Sequence, residues 1–339
     1  MTGFTNRYDP GVEVGGGGVL HLHRNENLFV STEWTGETAR ALVESAAISS
    51  YPDATSRPLR EALAELYAVE PENVFVGNGS DEVLANLLSL LRLSFDSVSC
   101  LDVCFQVYPM VLERLGFEPA VLPGNTFETG RVDATGFRGL ALVDSPNGIT
   151  GRGLSVENLV ELAADPDSFL IWDNAYGEYA GDTMPPLRAN VAFVRSFSKF
   201  YALAGLRVGY CIADASIVAE LLARKDAFNV GGFGQAMALE ALRRRAEFEI
   251  LRDRLLENRA VLTQGLEALG FRVLPSDFVA VLASHPTHDA ERLRAELLAR
   301  KIAVRRFAHP AVSDFIRITV APTPQIEQLL HSLGEIVGG

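Results

Sequence analysis

The chain has 339 residues, of which 48% are apolar and 22% are charged, an ordinary globular composition that excludes disordered and collagen-like proteins. Its 30 Lys and Arg against 43 Asp and Glu give a net charge of −13, which argues against binding to a nucleic-acid backbone. The three lysines are Lys199, Lys225 and Lys301, so chemistry that requires a lysine amine has three candidates.

The cysteines and the N-terminus predict a cytoplasmic protein. Cys100, Cys104 and Cys211 form no C-x-x-C pair, and their odd number gives no disulfide framework. The N-terminus lacks the pattern of a signal peptide, and no apolar run approaches the roughly 18 residues of a membrane span. The six histidines lack the spacing of a metal site. We expect no membrane partner and no metal.

In chain order, a glycine-rich N-terminal arm (1–30) precedes a large domain (31–232). Short apolar runs alternate there with helix-period runs, which predicts an α/β fold with a mostly parallel sheet flanked by helices. The predicted strands are Val74–Val76, Val98–Val103, Leu140–Val143, Phe169–Trp172, Val191–Val194 and Val208–Ile212, and the predicted helices are Leu59–Tyr67, Glu82–Leu91, Val156–Ala163 and Ile217–Ala227.

Residues 233–339 are predicted to form a smaller α+β domain. Its sequence pattern differs from that of the large domain, because a long Arg- and Glu-rich helical stretch leads into short strands and helices. The predicted elements are the helical stretch Gly234–Gly265, the strands Phe271–Leu274, Phe278–Leu282, Ile302–Arg305 and Phe315–Val320, the helix Ala290–Arg300 and a last helix from Pro324.

The segment that follows the strand Val191–Val194 carries a lysine in an unusual setting. Lys199 is flanked by Ser196 and Ser198, and Arg207 lies eight residues later. A lysine at the end of a strand in apolar surroundings loses hydration, which favours the nucleophilic amine that forms Schiff bases. Two hydroxyls and a guanidinium beside it can hold a phosphate. The alternative is an exposed loop lysine with a surface ion pair. The other two lysines lie at predicted helix ends.

A carboxylate ends the predicted strand Phe169–Trp172. Asp173 would lie at the carboxyl edge of a parallel sheet, where ligands bind. A carboxylate there can pair with a pyridinium nitrogen and keep the ring protonated, so that the ring acts as an electron sink. The alternative role of Asp173 is to cap the helix that follows.

A glycine-rich turn connects the strand Val74–Val76 to the next predicted helix. The N–H groups of Gly79, Ser80 and Asp81 at the helix start would form an anion site, and glycine lets the backbone approach a phosphate closely. The turn lacks the third glycine of a dinucleotide fingerprint, and the chain has no P-loop. The alternative is an ordinary capped turn.

Together these segments resemble the histidinol-phosphate aminotransferases, a family of fold-type I transferases that depend on pyridoxal 5'-phosphate. The resemblance spans nearly the whole chain. The motifs that carry it are Arg24-Asn-Glu-Asn27, Tyr51-Pro-Asp, Gly77-Asn-Gly-Ser-Asp-Glu82, Tyr108, Trp172-Asp-Asn-Ala-Tyr176, Ser196-Phe-Ser-Lys199, Ala204-Gly-Leu-Arg207, Val304-Arg305 and Ile316-Arg-Ile-Thr-Val320.

The resemblance implies transfer of an amino group between histidinol phosphate, or a related or aromatic amino acid, and 2-oxoglutarate. Lys199 would form the Schiff base, Asp173 would pair with the ring nitrogen, Tyr176 would meet the ring 3-oxygen and Tyr108 would stack on the ring. A homodimer is implied because Tyr51 would reach the phosphate of a second subunit. The implied phosphate ligands are Gly79, Ser80, Asp81, Ser196, Ser198 and Arg207, and the implied substrate contacts are Asn27, Arg305 and Arg317.

The sequence departs from the family pattern at three positions. Gly148 stands where the family has an asparagine on the 3-oxygen, which leaves Asn147 as the candidate for that contact. Asn174 replaces a glutamate and Leu28 replaces a proline. These changes leave open a paralogue with another amine substrate, a decarboxylase of a phosphorylated amino acid that uses the same cofactor, and a cofactor-binding protein that has lost catalysis.

Overall fold

The computed structural model describes residues 18–45, 49–124, 126–181 and 183–338. Residues 1–17, which include most of the predicted N-terminal arm and three of the four glycines in its glycine run, lie outside the described residues. Within the described ranges, no helix combines the length and the apolar character that a membrane crossing needs.

The described chain alternates between strands and helices. The strands are β1 (Leu20–His21), β2 (Val74–Gly77), β3 (Ser97–Cys100), β4 (Glu118–Val121), β5 (Leu140–Asp144), β6 (Phe169–Asp173), β7 (Val191–Ser196), β8 (Gly209–Ile212), β9 (Arg272–Val273), β10 (Ala280–Ser284), β11 (Ile302–Ala303), β12 (Arg305–Arg306) and β13 (Ile316–Thr319). The helices are α1 (Thr32–Ser45), α2 (Arg57–Tyr67), α3 (Gly79–Leu91), α4 (Val107–Arg114), α5 (Thr126–Thr129), α6 (Val156–Glu161), α7 (Gly177–Ala180), α8 (Ala215–Arg224), α9 (Gly232–Arg243), α10 (Arg245–Ala268), α11 (Ala290–Ala299) and α12 (Thr323–Gly338).

The larger sheet has seven strands in the order β2-β8-β7-β6-β5-β3-β4. The pairings from β4 through β7 are parallel, whereas β8 is antiparallel to both neighbours. All residues of β5 and β6 are buried, as expected for central strands covered on both faces. The predicted α/β class with a mostly parallel sheet is confirmed. The edge strand β4 was not predicted because it is largely exposed and contains a proline.

The smaller sheet is antiparallel, with four strands in the order β12-β13-β10-β9. The predicted strand Ile302–Arg305 divides, because β11 pairs in parallel with β1 while β12 joins the four-stranded sheet. The predicted helical stretch Gly234–Gly265 also divides, because Arg244 leaves helical geometry between α9 and α10. The N-terminal strand β1 is thereby attached to the C-terminal part of the chain.

Sheet topology places several polar residues at one edge. Strands β5, β6 and β7 run parallel and end at Asp144, Asp173 and Ser196, and Asp144 lies opposite Asp173 in register. Gly209 begins β8 opposite Ser196. A Cβ at Gly209 would overlap the backbone of Ser80, so glycine allows the start of α3 to lie against this edge.

Candidate active site

A cavity of about 300 Å³ opens at the carboxyl edge of the large sheet, bounded also by the N-terminal segment and the small sheet. It brings together ten of the predicted site residues. These are Ser80, Asp81, Asp173, Tyr176, Ser196, Ser198, Lys199, Arg207, Arg305 and Arg317. We call this space the central cavity.

Lys199 and Asp173 both line the central cavity. The Nζ of Lys199 lies 5.3 Å from the centroid of the Tyr176 ring. Burial raises the pKa of Asp173 from 3.8 to about 6, against the opposing effects of the Tyr108 hydroxyl, the Ala175 N–H and the charge of Lys199. A buried carboxylate in this setting favours a cationic partner.

Tyr108 does not line the cavity, contrary to the prediction that it stacks on the ring. It is 1% exposed, and its hydroxyl donates to Oδ2 of Asp173 at 2.8 Å. Phe105 lines the cavity instead and packs edge-on against Tyr108, with 5.7 Å between centroids. The two aromatics are three residues apart where the chain enters α4, so one faces the cavity while the other lies behind Asp173.

Several of the predicted phosphate ligands meet at the start of α3, and we call this group the cradle. Its members are Gly79, Ser80, Asp81, Ser198 and Arg207. Asn78 makes no side-chain capping bond there, so it leaves the first N–H groups of the helix without a side-chain cap. Gly79 has φ +81°, and a Cβ at this position would lie 2.5 Å from Nη2 of Arg207, so glycine keeps the cradle open. Arg207 donates to Ser198 Oγ at 3.4 Å and to Asp81 at 2.9 Å.

Two arginines close the cavity on the side of the small sheet. Arg305 and Arg317 are paired positions on β12 and β13. Arg317 donates to the carbonyls of Gly148 at 2.7 Å and His23 at 2.8 Å, which fixes its guanidinium plane. Arg305 donates to Gln106 at 3.1 Å. Adjacent guanidinium groups give a local positive field within an acidic protein, as an anion site requires.

Asn27 was predicted to contact substrate, but it lies outside the cavity lining. Its Nδ2 donates to the Phe200 carbonyl at 2.9 Å, and its Oδ1 accepts from the Phe29 N–H at 3.1 Å. Asn25 lines the cavity instead, and its Nδ2 donates to the Gly148 carbonyl and, at 3.1 Å, to the Tyr176 hydroxyl. The motif therefore contributes its first asparagine to the cavity and its second to packing.

Asn147 does not take the role predicted for it on the 3-oxygen. Its Oδ1 accepts from the N–H groups of Ile149 at 3.0 Å and Thr150 at 2.8 Å, and its Nδ2 donates to the Val103 carbonyl at 2.7 Å. These bonds close the turn after β5 and direct the side chain away from the cavity. Asn147 is therefore a turn residue.

Tyr51, predicted to serve a second subunit, lies on the surface of this one. Its side chain is 83% exposed and stacks on Phe228 with 4.6 Å between ring centroids.

Asn174, the second departure from the family pattern, ties two loops of the edge together. Its Nδ2 donates to the Ser145 carbonyl at 2.6 Å, and the side chain is fully buried. The amide of Asn174 packs against Gly177. A Cβ at position 177 would overlap the Asn174 side chain. Glycine at 177 therefore accommodates asparagine at 174.

We expect Gly177→Ala to destabilise the protein by about 1–3 kcal/mol, because the added methyl must displace a buried, hydrogen-bonded amide. The matched control is Gly36→Ala in α1, where a Cβ meets nothing within 4 Å and alanine should stabilise the helix by about 0.5–1 kcal/mol. Urea unfolding of the two variants measures both effects. Equal stability of the two variants would contradict the packing described for Asn174.

Sequence reasoning missed several cavity residues, among them Asn25, Phe105, His23 and Asp144. His23 is 3% exposed, and burial, assisted by nearby positive groups including Arg305, lowers its pKa to about 4, so the ring is neutral. Asp144 ends β5 just as Asp173 ends β6. The rule that identified Asp173, a carboxylate at the end of an apolar strand, would also have identified Asp144.

The chain is similar to known aminotransferases over nearly its whole length. Residues 18–333 match the family model for aminotransferase class I and II. The chain is 37% identical to histidinol-phosphate aminotransferase 2 of Thiobacillus denitrificans, over 98% of this chain and 96% of that protein. It is 34% identical to histidinol-phosphate aminotransferase 2 of Rhizobium meliloti, over 97% and 96% respectively.

Solved structures show the same fold. The histidinol-phosphate aminotransferase from Sinorhizobium meliloti in complex with pyridoxal-5'-phosphate has a TM-score of 0.84 at 23% identity, over 94% of this chain and 91% of that one. L-threonine-O-3-phosphate decarboxylase from Porphyromonas gingivalis also has a TM-score of 0.84, at 20% identity over 95% and 100%. From its sequence match and its fold together, this chain belongs to the class I and II aminotransferase family.

Proposed function

We propose that this protein is a pyridoxal-phosphate-dependent aminotransferase that transfers an amino group between histidinol phosphate, or a related or aromatic amino acid, and 2-oxoglutarate. The observation that carries the proposal is the meeting of Lys199 and Asp173 in one cavity with a phosphate cradle and two arginines. Relatives named histidinol-phosphate aminotransferase support the substrate class.

The cradle at the start of α3 fits the phosphate of the cofactor. The first N–H groups of the helix and its dipole favour an anion, and Gly79 leaves room beside Arg207. Ser196 and Ser198 also line the central cavity. The ion pair between Arg207 and Asp81 is about half exposed, so it costs little to rearrange when an anion enters.

Asp173 fits the ring nitrogen. Bound pyridoxal phosphate would supply an electron sink for the negative charge that develops when the substrate α-carbon loses its proton. The carboxylate of Asp173 is buried, and a protonated ring nitrogen would compensate its charge in the low-dielectric interior. Tyr108 and the Ala175 N–H each donate to this carboxylate, which fixes its orientation.

Lys199 is the proton carrier in this proposal. With the cofactor bound, its Nζ would take the proton from the substrate α-carbon as a base and, as an acid, would deliver it to the adjacent C4′ carbon of the cofactor. The placement of Nζ near the Tyr176 ring and within electrostatic reach of Asp173 supports this role.

The two arginines fit the anionic end of the substrate. A phosphate or a carboxylate accepts charge-assisted hydrogen bonds from guanidinium groups, often two at once. The two carbonyl bonds of Arg317 hold its guanidinium in place before substrate enters. Neutral His23 lies beside this pair and leaves the positive charge to the arginines.

We further propose a cytoplasmic homodimer in which Tyr51 reaches the phosphate cradle of the second subunit. The exposed stack of Tyr51 on Phe228 supports this, because such apolar surface is commonly covered by a partner.

The proposed domains remain an N-terminal arm (1–30), a large domain (31–232) and a small domain (233–339). Their support is that the seven-stranded sheet and the four-stranded sheet draw on separate stretches of the chain.

A spectroscopic screen of amino donors tests the proposed function. Histidinol phosphate is expected to remove the visible absorbance of the cofactor-loaded protein, and 2-oxoglutarate is expected to restore it. A colourless protein that binds no pyridoxal phosphate would contradict the proposal. Release of carbon dioxide without consumption of 2-oxoglutarate would replace transamination with decarboxylation. Absence of any half-reaction, with the cofactor bound, would indicate a protein that has lost catalysis.

A further inference from the structure

Gly148 lines the central cavity, and we call the space left by its missing side chain the opening. A Cβ built at this position would lie 3.5 Å from Cε2 of Tyr176 and 3.8 Å from Oδ2 of Asp144, which are ordinary van der Waals distances. Cε2 is bonded to the carbon that bears the Tyr176 hydroxyl, so the opening lies next to the polar edge of that ring. Asn147 is turned away from the opening by its bonds within the turn.

Asp144 borders this opening, and its two carboxyl oxygens differ in their hydrogen bonding. The residue is 4% exposed and lines the central cavity at the end of β5. Its Oδ2 accepts from the Gly148 N–H at 3.0 Å, whereas its buried Oδ1 has no partner with normal hydrogen-bond geometry among the described residues, although the Phe105 N–H also interacts with the carboxyl group. A buried polar atom without a partner costs stability, so it calls for a function or a ligand.

The surroundings of Asp144 favour its neutral form. Burial raises the pKa of Asp144 well above its usual value, against the opposing effect of backbone N–H groups, chiefly that of Gly148, and the adjacent carboxylate of Asp173 acts in the same direction as burial. Tyr108 on α4 and Cys104 in the preceding loop also interact with Asp144. Both are neutral, because burial raises the pKa of Tyr108 and a hydrogen bond with Cys100, together with burial, raises the pKa of Cys104. A protonated carboxyl has an O–H to donate.

Asn25 cannot supply the same donor. Its Nδ2 donates to both the Gly148 carbonyl and the Tyr176 hydroxyl. By donating to Tyr176, it leaves the proton of that hydroxyl free to point into the cavity. Asn25 is therefore a positioning residue for Tyr176. Asp144 remains as the candidate donor beside Gly148.

We propose that Asp144, as a neutral carboxylic acid, donates a hydrogen bond to the 3-oxygen of bound pyridoxal phosphate, opposite the Tyr176 hydroxyl. The inference rests on the proposed function, because it requires that cofactor in the central cavity. It assigns Asp144 to the contact that neither Gly148 nor Asn147 makes.

The pH at which the bound cofactor changes between its two absorbing forms tests this proposal. The high-pH form carries more negative charge on the 3-oxygen, so a donor to that oxygen lowers the transition pH. Losing a hydrogen bond to a charged oxygen in Asp144→Ala should raise the transition by about 1–2 pH units. Asp144→Asn retains both an acceptor for the Gly148 N–H and a donor for the cofactor, and should stay near wild type.

A double variant sharpens the test. Asp144→Ala combined with Gly148→Asn places an amide in the opening and should return the transition towards the wild-type value. An unchanged transition in Asp144→Ala would overturn the inference, as would a downward shift, which would mean that Asp144 is an ionised carboxylate repelling the 3-oxygen. If wild type binds no pyridoxal phosphate, the proposed function itself fails, which is a distinguishable result.

Infrared difference spectroscopy gives a second measurement that needs no alanine variant. The C=O stretch of a protonated carboxyl should shift in wild type when pyridoxal phosphate is added. Asp173 also has a raised pKa, so the band is assigned by its loss in Asp144→Asn. A spectrum of Asp144→Asn that retains the shifting band would overturn the inference even if Asp144→Ala does not fold.

Discussion

Replacing Lys199 with alanine is expected to abolish the visible absorbance of the cofactor-loaded protein and to lower the rate of amino transfer by about 10³-fold or more. In the proposed function this amine both attaches the cofactor and carries the α-proton, so its loss would remove two functions at once. Absorbance and single-turnover kinetics with histidinol phosphate measure the two losses.

Lys225→Ala is the matched control for Lys199→Ala. The Nζ of Lys225 donates to the backbone carbonyls of Asp226 and Ala227 at the end of α8, outside the central cavity. The control should retain both the absorbance and the turnover. Retention of the visible band in Lys199→Ala would refute the assignment of this lysine.

Asp173→Asn should give the second largest loss of activity, about 10²–10⁴-fold, because it would remove one partner of the proposed buried ion pair with the ring nitrogen, and such a loss costs about 3–5 kcal/mol. The asparagine oxygen can still accept from the Ala175 N–H, and the Tyr108 hydroxyl can turn to accept from the new amide, so the fold should persist. Turnover at saturating donor and the dissociation constant of pyridoxal phosphate measure the effect. Wild-type turnover in this variant would contradict the proposed pairing.

Tyr108→Phe is the graded control for this site. It keeps the ring in the core and removes the hydroxyl that donates to Asp173. Losing a donor to a carboxylate disfavours its charged form, so the pKa of Asp173 should rise above its value of about 6. The pH below which pyridoxal phosphate binds weakly should therefore move upwards, with a smaller loss of turnover than in Asp173→Asn. A downward movement would contradict the role given to Tyr108.

The sequence was sufficient to predict the sheet, its mostly parallel pairing and several of the polar residues that meet at its edge. Buried strands such as β5 and β6 form uninterrupted apolar runs, and the polar residue that ends each run must lie at one edge when the strands are parallel. That reasoning selected Asp173 at the end of β6 and Lys199 in the segment after β7, and both line the central cavity. The edge strand β4 carries no such signal because its surroundings leave it exposed.

Side-chain direction in short loops could not be predicted. Asn25 and Asn27 are two residues apart in one motif, and backbone geometry decides which faces the cavity; Asn25 has φ of 55° in the left-handed region. Asn147 has the right residue type for a cofactor contact but is used to close its own turn. The direction of Asn25 depends on its bonds to Gly148 and Tyr176, which lie more than 100 residues away and which no local pattern encodes.

Attachment of the cofactor is the central claim, and the three lysines make its test unusually direct. Borohydride reduction of the protein loaded with pyridoxal phosphate, followed by peptide mass mapping, locates the lysine that becomes labelled. We expect the label on Lys199 at one per chain. A label on Lys225 or Lys301 instead, or no stable label after reduction, would contradict the account.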